Sequence, residues 1–278
     1  MMTKVVNIKD IQMGGGNPIV LISGPCVIES QQLLSDTAGT IQMLCKELEI
    51  PFIFKSSFTK DNRSSVEYFQ GPGLEEGLEM LEKVKKEFNI PILSDIHNSN
   101  QAQKAAEVLD VIQIPAYLSM QTSLTVAAGK TGKVINVKKG QFLHPEDMGK
   151  VVNKIESTGN EKILLTERGC VFGYHNLVVD MRSIPIMQKT GYPVVFDVTH
   201  AIRIYGVPSS SPSGGTPEFV PVLTRAGVST GVDAIFIETH PDCKNAKCDA
   251  SSMWPLQQLK GLLIQVKEFD QIAKKYMN

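Results

Sequence analysis

Eight short apolar runs recur along the chain, each followed by a longer stretch of mixed polarity. The runs are PIVLISG (18–24), PFIFKSS (51–57), PILSDI (91–96), VIQIP (111–115), KVINVK (133–138), KILLTE (162–167), PVVFDV (193–198) and DAIFIE (233–238). They are rich in Val and Ile and nearly continuous, as strands covered on both faces of a parallel sheet are. Between them the apolar period lengthens. Residues 74–88 place Leu74, Leu78, Leu81, Val84 and Phe88 three or four apart, and residues 256–272 repeat the rhythm with Leu256, Leu259, Leu263, Val266, Phe269 and Ile272. Such spacing predicts amphipathic helices with one face turned to a core. Strand and helix alternating eight times predict an α/β protein, a (β/α)8 TIM barrel. An open, doubly wound sheet would want GxGxxG after its first strand, and none is present there. Residues 1–17 precede the first strand and are expected to form a short N-terminal hairpin or cap. No repeat or domain boundary interrupts the pattern, so 1–278 is expected to be one barrel domain.

In barrels of this kind the chemistry collects at the C-terminal ends of the strands. Those ends read Cys26, Lys55, Asp95, Gln113, Lys138, Arg168, His200 and Glu238, all polar or ionisable. Charges crowded at one mouth are unfavourable unless a ligand or ion balances them. Lys55, Lys138 and Arg168, with Lys60 and Arg63 just past the second strand, describe a site for more than one phosphate or carboxylate. Taken singly, Lys60 reads as a solvated surface charge. Lys55 and Lys138 do not, because each closes an apolar strand. Cys26, His200, Glu238 and the downstream Asp249 offer a thiolate, an imidazole and two carboxylates, a set suited to one divalent transition metal. Their scattered spacing is no signal by itself, and a free Cys is usually a small buried hydrophobe. The metal reading rests on position, since strands one, seven and eight are neighbours in a closed barrel. Cys243 and Cys248 read as reduced thiols that ligate nothing. The stretch GVPSSSPSGG (206–215), after the seventh strand, has a composition that resists packing and is expected to be a mobile lid.

Composition narrows the partners. The 278 residues carry a net charge of −1, with 42% hydrophobic and 21% charged residues. That balance speaks against a nucleic-acid or membrane partner, so phosphate must be held by locally placed Lys and Arg. Five cysteines, an odd number in a long chain, point to reduced thiols in a cytoplasmic protein. The N-terminus lacks an apolar signal core, and no run approaches the roughly 20 apolar residues of a membrane span.

The segments GPCVIES (24–30), KSSFTKDNRSS (55–65), GPGLEEGL (71–78), SDIH (94–97), DVIQIPAYL (110–118), INVKKGQF (135–142), TERGCVFGY (166–174), FDVTHA (196–201) and IETHPD…KCDA (237–250) together resemble the 3-deoxy-D-manno-octulosonate 8-phosphate synthase family. The resemblance runs from the first strand to the last helix. It implies condensation of phosphoenolpyruvate with arabinose 5-phosphate and water, releasing phosphate, on the route to lipopolysaccharide. It implies that Lys55, Lys60 and Gln113 hold the phosphoenolpyruvate carboxylate, and that Lys138 and Arg168 hold its phosphate. Asn62, Arg63 and Ser64 would take the sugar phosphate, and the resemblance allows Arg63 and Ser64 to come from a neighbouring subunit of a homotetramer. Ser57 and Asp95 join the substrate-binding set, and Cys26, Lys55, Lys60, Asn62, His200 and Asp249 the catalytic one. The metal-free branch of the family carries Asn where this chain has Cys26, so the chain resembles the metal-dependent branch, with Fe²⁺, Zn²⁺, Mn²⁺ or Co²⁺ in the Cys26, His200, Glu238 and Asp249 set. KCD (247–249) occurs in both branches, which leaves that reading on Cys26. Two alternatives stand beside it. One is the sister synthase of aromatic biosynthesis, which uses erythrose 4-phosphate and usually shows a Lys-Pro-Arg-Thr string where this chain has Lys-Asp-Asn-Arg (60–63). The other is a non-catalytic anion-binding barrel.

Overall fold

The computed structural model describes residues 2–63, 65–171, 175–208 and 211–277. The chain opens with an antiparallel hairpin, β1 (Val6–Ile8) and β2 (Ile11–Met13), with Ile8 opposite Ile11. Val6, Ile8, Ile11 and Met13 are buried while Asn7 and Gln12 are exposed, so period-two alternation gives the hairpin one apolar face. The expected N-terminal hairpin is therefore present.

Strands and helices then alternate: β3 (Val20–Gly24), α1 (Gln31–Leu48), β4 (Phe52–Lys55), α2 (Leu74–Phe88), β5 (Ile92–Asp95), α3 (Gln101–Val108), β6 (Val111–Ile114), α4 (Thr122–Gly129), β7 (Val134–Lys138), α5 (Met148–Glu156) and β8 (Ile163–Glu167). A small antiparallel pair, β9 (Cys170–Val171) and β10 (Leu177–Val178), precedes α6 (Ser183–Gln188) and β11 (Val194–Asp197). The one-turn helix α7 (Val198–Ala201), α8 (Val220–Ser229), β12 (Ala234–His240), the two-residue β13 (Trp254–Pro255) and α9 (Leu259–Lys275) complete the chain. The eight barrel strands pair in parallel in the order β11-β8-β7-β6-β5-β4-β3-β12, and β11 pairs with β12 to close the ring, Val195 beside Ala234 and Asp197 beside Phe236. This is the (β/α)8 barrel that the alternating pattern predicts, and α2 occupies the predicted 74–88. The last helix starts later than expected. Leu256–Gln258 form a 3₁₀ turn, because Trp254 and Pro255 first pair with Thr239 and His240 at the end of β12.

Two cores lie back to back. Outside the ring, Leu21, Phe54, Ile112, Ile135, Leu165 and Phe196 pack against helix residues such as Leu34, Ile41, Leu81 and Leu263. Inside it, Val20, Ile22, Ile53, Leu93, Val111, Val134, Leu164, Val195 and Phe236 form a second cluster with Val6, Ile8, Ile11 and Met13 of the hairpin. The hairpin's apolar face thus packs on the interior side chains of the barrel.

The 206–215 stretch packs more than its composition predicts. Gly214 and Gly215 are buried, and Pro212–Gly214 form a 3₁₀ turn. A Cβ on Gly215 would lie 2.6 Å from the Ser251 carbonyl oxygen, so only glycine lets the loop return this close to the following segment. Ser209 and Ser210 of the predicted lid lie outside the described residues. No helix among the described residues is long and apolar enough to cross a membrane.

Candidate active site and metal centre

The interior face that is apolar at one end becomes polar at the other. Side chains two apart on a strand share a face. The interior positions therefore run from Ile53 to Lys55, Leu93 to Asp95, Val111 to Gln113, Val195 to Asp197, and Phe236 to Glu238. On β7 the row is Val134, Asn136, Lys138; on β8 it is Leu164, Thr166 and, one residue beyond the strand, Arg168. All of these polar residues are buried.

Most of these buried charges have a partner. Lys55 Nζ donates to the Cys26 carbonyl at 2.9 Å and to the Glu238 carboxylate. Lys60 Nζ lies 3.9 Å from Glu238 Oε1. Lys138 Nζ sits 2.6 Å from Asp197 Oδ2 and 3.9 Å from the centre of the Phe236 ring. Ser57 donates to Asp95, whose Oδ2 lies 3.2 Å from His97 Nε2. Asn136 donates to Gln113 at 3.0 Å and accepts from Thr166 at 2.7 Å. Burial alone would raise the Glu238 pKa, but Lys55, His200 and Lys60 overcome it and hold the carboxyl down at about 2. Burial is likewise outweighed at Asp95, where Lys60, His97 and Lys55 hold the carboxyl well below the usual range. At Lys138 burial wins over Asp197 and Glu238, and the ammonium is pulled below its ordinary value.

The four candidate metal ligands converge. Asp249 Oδ2 lies 3.3 Å from Cys26 Sγ and 3.6 Å from His200 Nε2, and His200 Nε2 is 3.7 Å from Glu238 Oε2. Glu238 Oε2 is buried and accepts no hydrogen bond from the described residues, which is how an oxygen kept for an ion would stand. The donors fall in two trios that share Asp249, one of His200, Glu238 and Asp249 and one of Cys26, Cys248 and Asp249, and thiolate, imidazole and carboxylate fit a divalent transition metal. Cys26 reaches this point because Gly24, at φ 152°, lets β3 press against β4; a Cβ there would lie 2.1 Å from the Lys55 carbonyl oxygen. In the free chain burial pushes the Cys26 thiol well above its ordinary value, with Cys248, Asp249 and Glu238 adding to the rise.

Three corrections follow. His200 does not end strand seven. Asp197 does, and His200 comes from the helical turn α7, whose start Asp197 caps by accepting from His200 N at 3.0 Å. Asp197 also contacts His200 Nδ1 at 2.9 Å, so it ties Lys138 to His200. It was legible in FDVTHA as the interior position two after Val195. Second, Cys248, a free thiol as expected, lies closer to the site than the sequence indicates: its Sγ is 3.0 Å from Cys26 Sγ, and Cys26, Cys248 and Asp249 are grouped tightly enough to hold an ion. Third, Arg203, which no sequence motif singles out, pairs with Asp249. The signal available was its spacing of three from His200.

A cavity of about 480 Å³ opens above this layer, lined by Lys60, Asn62, Arg63, Arg168, His200 and Asp249 among others. A deeper lobe of about 60 Å³ adds Asp95, Gln113 and Lys138. Arg63 lines its own chain's cavity, donating to Cys248 Sγ at 2.9 Å and to the Lys247 carbonyl at 3.0 Å. Arg168 is buried, and its Nη1 has no hydrogen-bond partner among the described residues. Ser64 lies outside the described residues. Gly206, Val207 and Pro208 form part of the cavity wall.

Fold and site together define a (β/α)8 barrel with a cation-lined mouth, and the chain belongs to the DAHP synthetase I family, whose model matches residues 2–275. Among its relatives, the 2-dehydro-3-deoxyphosphooctonate aldolase of Trichlorobacter lovleyi is 54% identical over 273 residues, 98% of this chain and 100% of that protein. Proteins of the same name from Geotalea uraniireducens and Francisella tularensis subsp. holarctica are 51% and 50% identical, covering 98% and 97% of this chain and 100% and 98% of theirs.

Proposed function

We propose that this chain joins phosphoenolpyruvate to arabinose 5-phosphate, with water, giving 3-deoxy-D-manno-octulosonate 8-phosphate and phosphate. The observation that carries this reading is the 50–54% identity, end to end, with proteins named 2-dehydro-3-deoxyphosphooctonate aldolase. C3 of phosphoenolpyruvate attacks the aldehyde, water adds at C2, and phosphate leaves with C–O cleavage.

The geometry supports a division of labour. Lys55, Lys60 and Gln113 take the carboxylate of phosphoenolpyruvate. Lys138 and Arg168 take its phosphate, for which Arg168 Nη1, unpartnered among the described residues, is available. Ser57 and Asp95 brace the floor between them. Asn62 and Arg63, which line the outer cavity, hold the sugar phosphate there, and Ser64 takes the same role by the family resemblance. Anchoring two anions at both ends lines up the reacting carbons and removes much of the entropic barrier. The fixed cations also offset the charge that builds as phosphate departs. Cys26, His200, Glu238 and Asp249 would hold one divalent transition ion (Fe²⁺, Zn²⁺, Mn²⁺ or Co²⁺), which supplies orientation and polarisation of the aldehyde or the attacking water when bound. Gly206–Pro208, in the cavity wall, support a closing role for the 206–215 stretch, to be tested by protease cleavage there with and without both substrates.

The family's name favours a second reading, the erythrose 4-phosphate synthase. Phosphate release from phosphoenolpyruvate with each sugar phosphate separates the two. The first reading requires a large preference for arabinose 5-phosphate; equal rates, or none, would sink it. We place the enzyme in the cytoplasm, as one catalytic domain assembled into a homotetramer that makes a lipopolysaccharide precursor. Tyr117, Phe142, Val171, Val178 and Phe219, all exposed and all in the connections that follow barrel strands, support an assembly through that face. Light scattering that showed an active monomer would refute it.

A further inference from the structure

Arg203 has no part in the division of labour above, yet it touches the candidate metal centre. Its Nη1 donates to Asp249 Oδ1, and its side chain is only 16% exposed. The other oxygen of the same carboxylate, Oδ2, is the one that faces Cys26 Sγ and His200 Nε2, at 3.3 and 3.6 Å. Asp249 itself stands at φ 49°, a left-handed conformation that a residue with a side chain keeps only where its surroundings hold it. Part of that hold is in the backbone, since the Asp249 carbonyl accepts from Ser252 N at 2.9 Å and Met253 N at 3.1 Å. The side chain needs its own restraint. A carboxylate free to turn about its last bond would offer either oxygen, or both, to an ion.

We propose that Arg203 is a positioning residue: it ties down Asp249 Oδ1 so that Oδ2 alone is presented to a divalent ion alongside Cys26, His200 and Glu238. This rests on reading those four side chains as a metal centre. The chain is arranged to make the contact reproducible. Arg203 follows helix α7, its amide donates to the His200 carbonyl at 3.4 Å, and it bridges to Gly215. One short turn therefore delivers both a ligand, His200, and the group that orients another ligand. The guanidinium also adds to Lys55 and Lys60 in offsetting the charge that Cys26, Glu238 and Asp249 gather around one point. Hydrogen bonds to ligating carboxylates typically support metal affinity by roughly 10–100-fold. An arginine paired with a ligand could act in the opposite sense, competing with the ion for the carboxylate, and its removal would then tighten binding.

The experiment is titration of metal-free protein with Co²⁺ against a chromophoric chelator, recording the visible absorption of the bound ion. Arg203→Ala should bind Co²⁺ roughly 10–100-fold more weakly, with altered visible bands, because Asp249 no longer presents a single oxygen. Arg203→Lys, which keeps a cation, should recover part of the affinity. Arg168→Ala removes another cavity arginine and should leave Co²⁺ affinity as in the unaltered chain. Affinity for Co²⁺ that is unchanged or tighter in Arg203→Ala overturns the proposal while leaving the metal centre standing. Failure of the unaltered chain to take up Co²⁺ overturns the metal reading, and the proposal with it. Should Arg203→Ala not fold, by far-ultraviolet circular dichroism, Arg203→Gln replaces it under the same criteria.

Discussion

The two ends of the barrel interior are built on the same strands and the same period of two, yet they hold opposite contents. At the N-terminal end the row is Val20, Ile53, Leu93, Val111, Val134, Leu164 and Val195, packed with Ile8 and Met13 of the hairpin. Two to four residues further along, the same faces carry Lys55, Asp95, Gln113, Lys138, Arg168 and Asp197. The lower end contributes stability through apolar burial, which is non-directional and proportional to area. The upper end contributes little net stability, because paired buried charges barely recover their desolvation. What it supplies is a preorganised field for anionic substrates. Loss at one end should therefore be read as stability, and loss at the other as activity.

That division can be broken by experiment. Exhaustive chelation should take phosphate release to background without unfolding the chain, and Co²⁺, Mn²⁺, Zn²⁺ or Fe²⁺ should restore it. Cys26→Ser should weaken metal binding, and Cys26→Asn should leave some activity that is less sensitive to chelator. Full activity after chelation, with no metal detected, would reduce Cys26 to an ordinary buried thiol. Next in size, Arg168→Ala should lower kcat by roughly 10²–10³-fold, the usual effect of removing a donor aimed at developing charge, with the urea midpoint little changed. A collapse in stability instead would place Arg168 with the lower end.

Arg63→Ala sharpens the comparison within the upper end. Losing one charge-assisted contact of about 1.5–3 kcal/mol should raise KM for the sugar phosphate and leave KM for phosphoenolpyruvate almost untouched. An effect confined to phosphoenolpyruvate would show the assignment to be reversed. Met13→Ala tests the lower end. Its cost should be about 2–5 kcal/mol in unfolding free energy, while the folded protein keeps its KM values. The smallest effect expected is pH dependence at Asp95. Its folded pKa is depressed, so the stability it contributes is present above its unfolded value of about 3.9 and is lost as pH falls through the folded value. Urea midpoints should begin to drop as pH falls through about 4 and keep dropping below it, and Asp95→Asn should flatten that drop.

Much of this was legible before any coordinates. Eight β-rich runs and helical periods determined the barrel, because a strand buried on both faces and a helix buried on one leave different apolar rhythms. The polar residue closing most runs marked the mouth, and with it Lys55, Asp95, Gln113, Lys138, Arg168 and Glu238. Ring closure was the assumption that joined Cys26 to Glu238, and the β3–β12 pairing of Gly24 with Glu238 fulfils it. Tertiary structure decided the rest. Nothing local in the chain says that Asp197 pairs with Lys138 across 59 positions, or that Cys248 meets Cys26 across 222. Nor does composition reveal that Gly214 and Gly215 are buried against Ser251, since packing of a glycine depends on what stands beside it in space. Periodicity reports which face of an element is covered; it carries no record of which side chain, from a distant element, does the covering. Arg203 is the clearest case: as a residue it is one more cation in a loop, and only the fold brings its guanidinium to the second oxygen of Asp249.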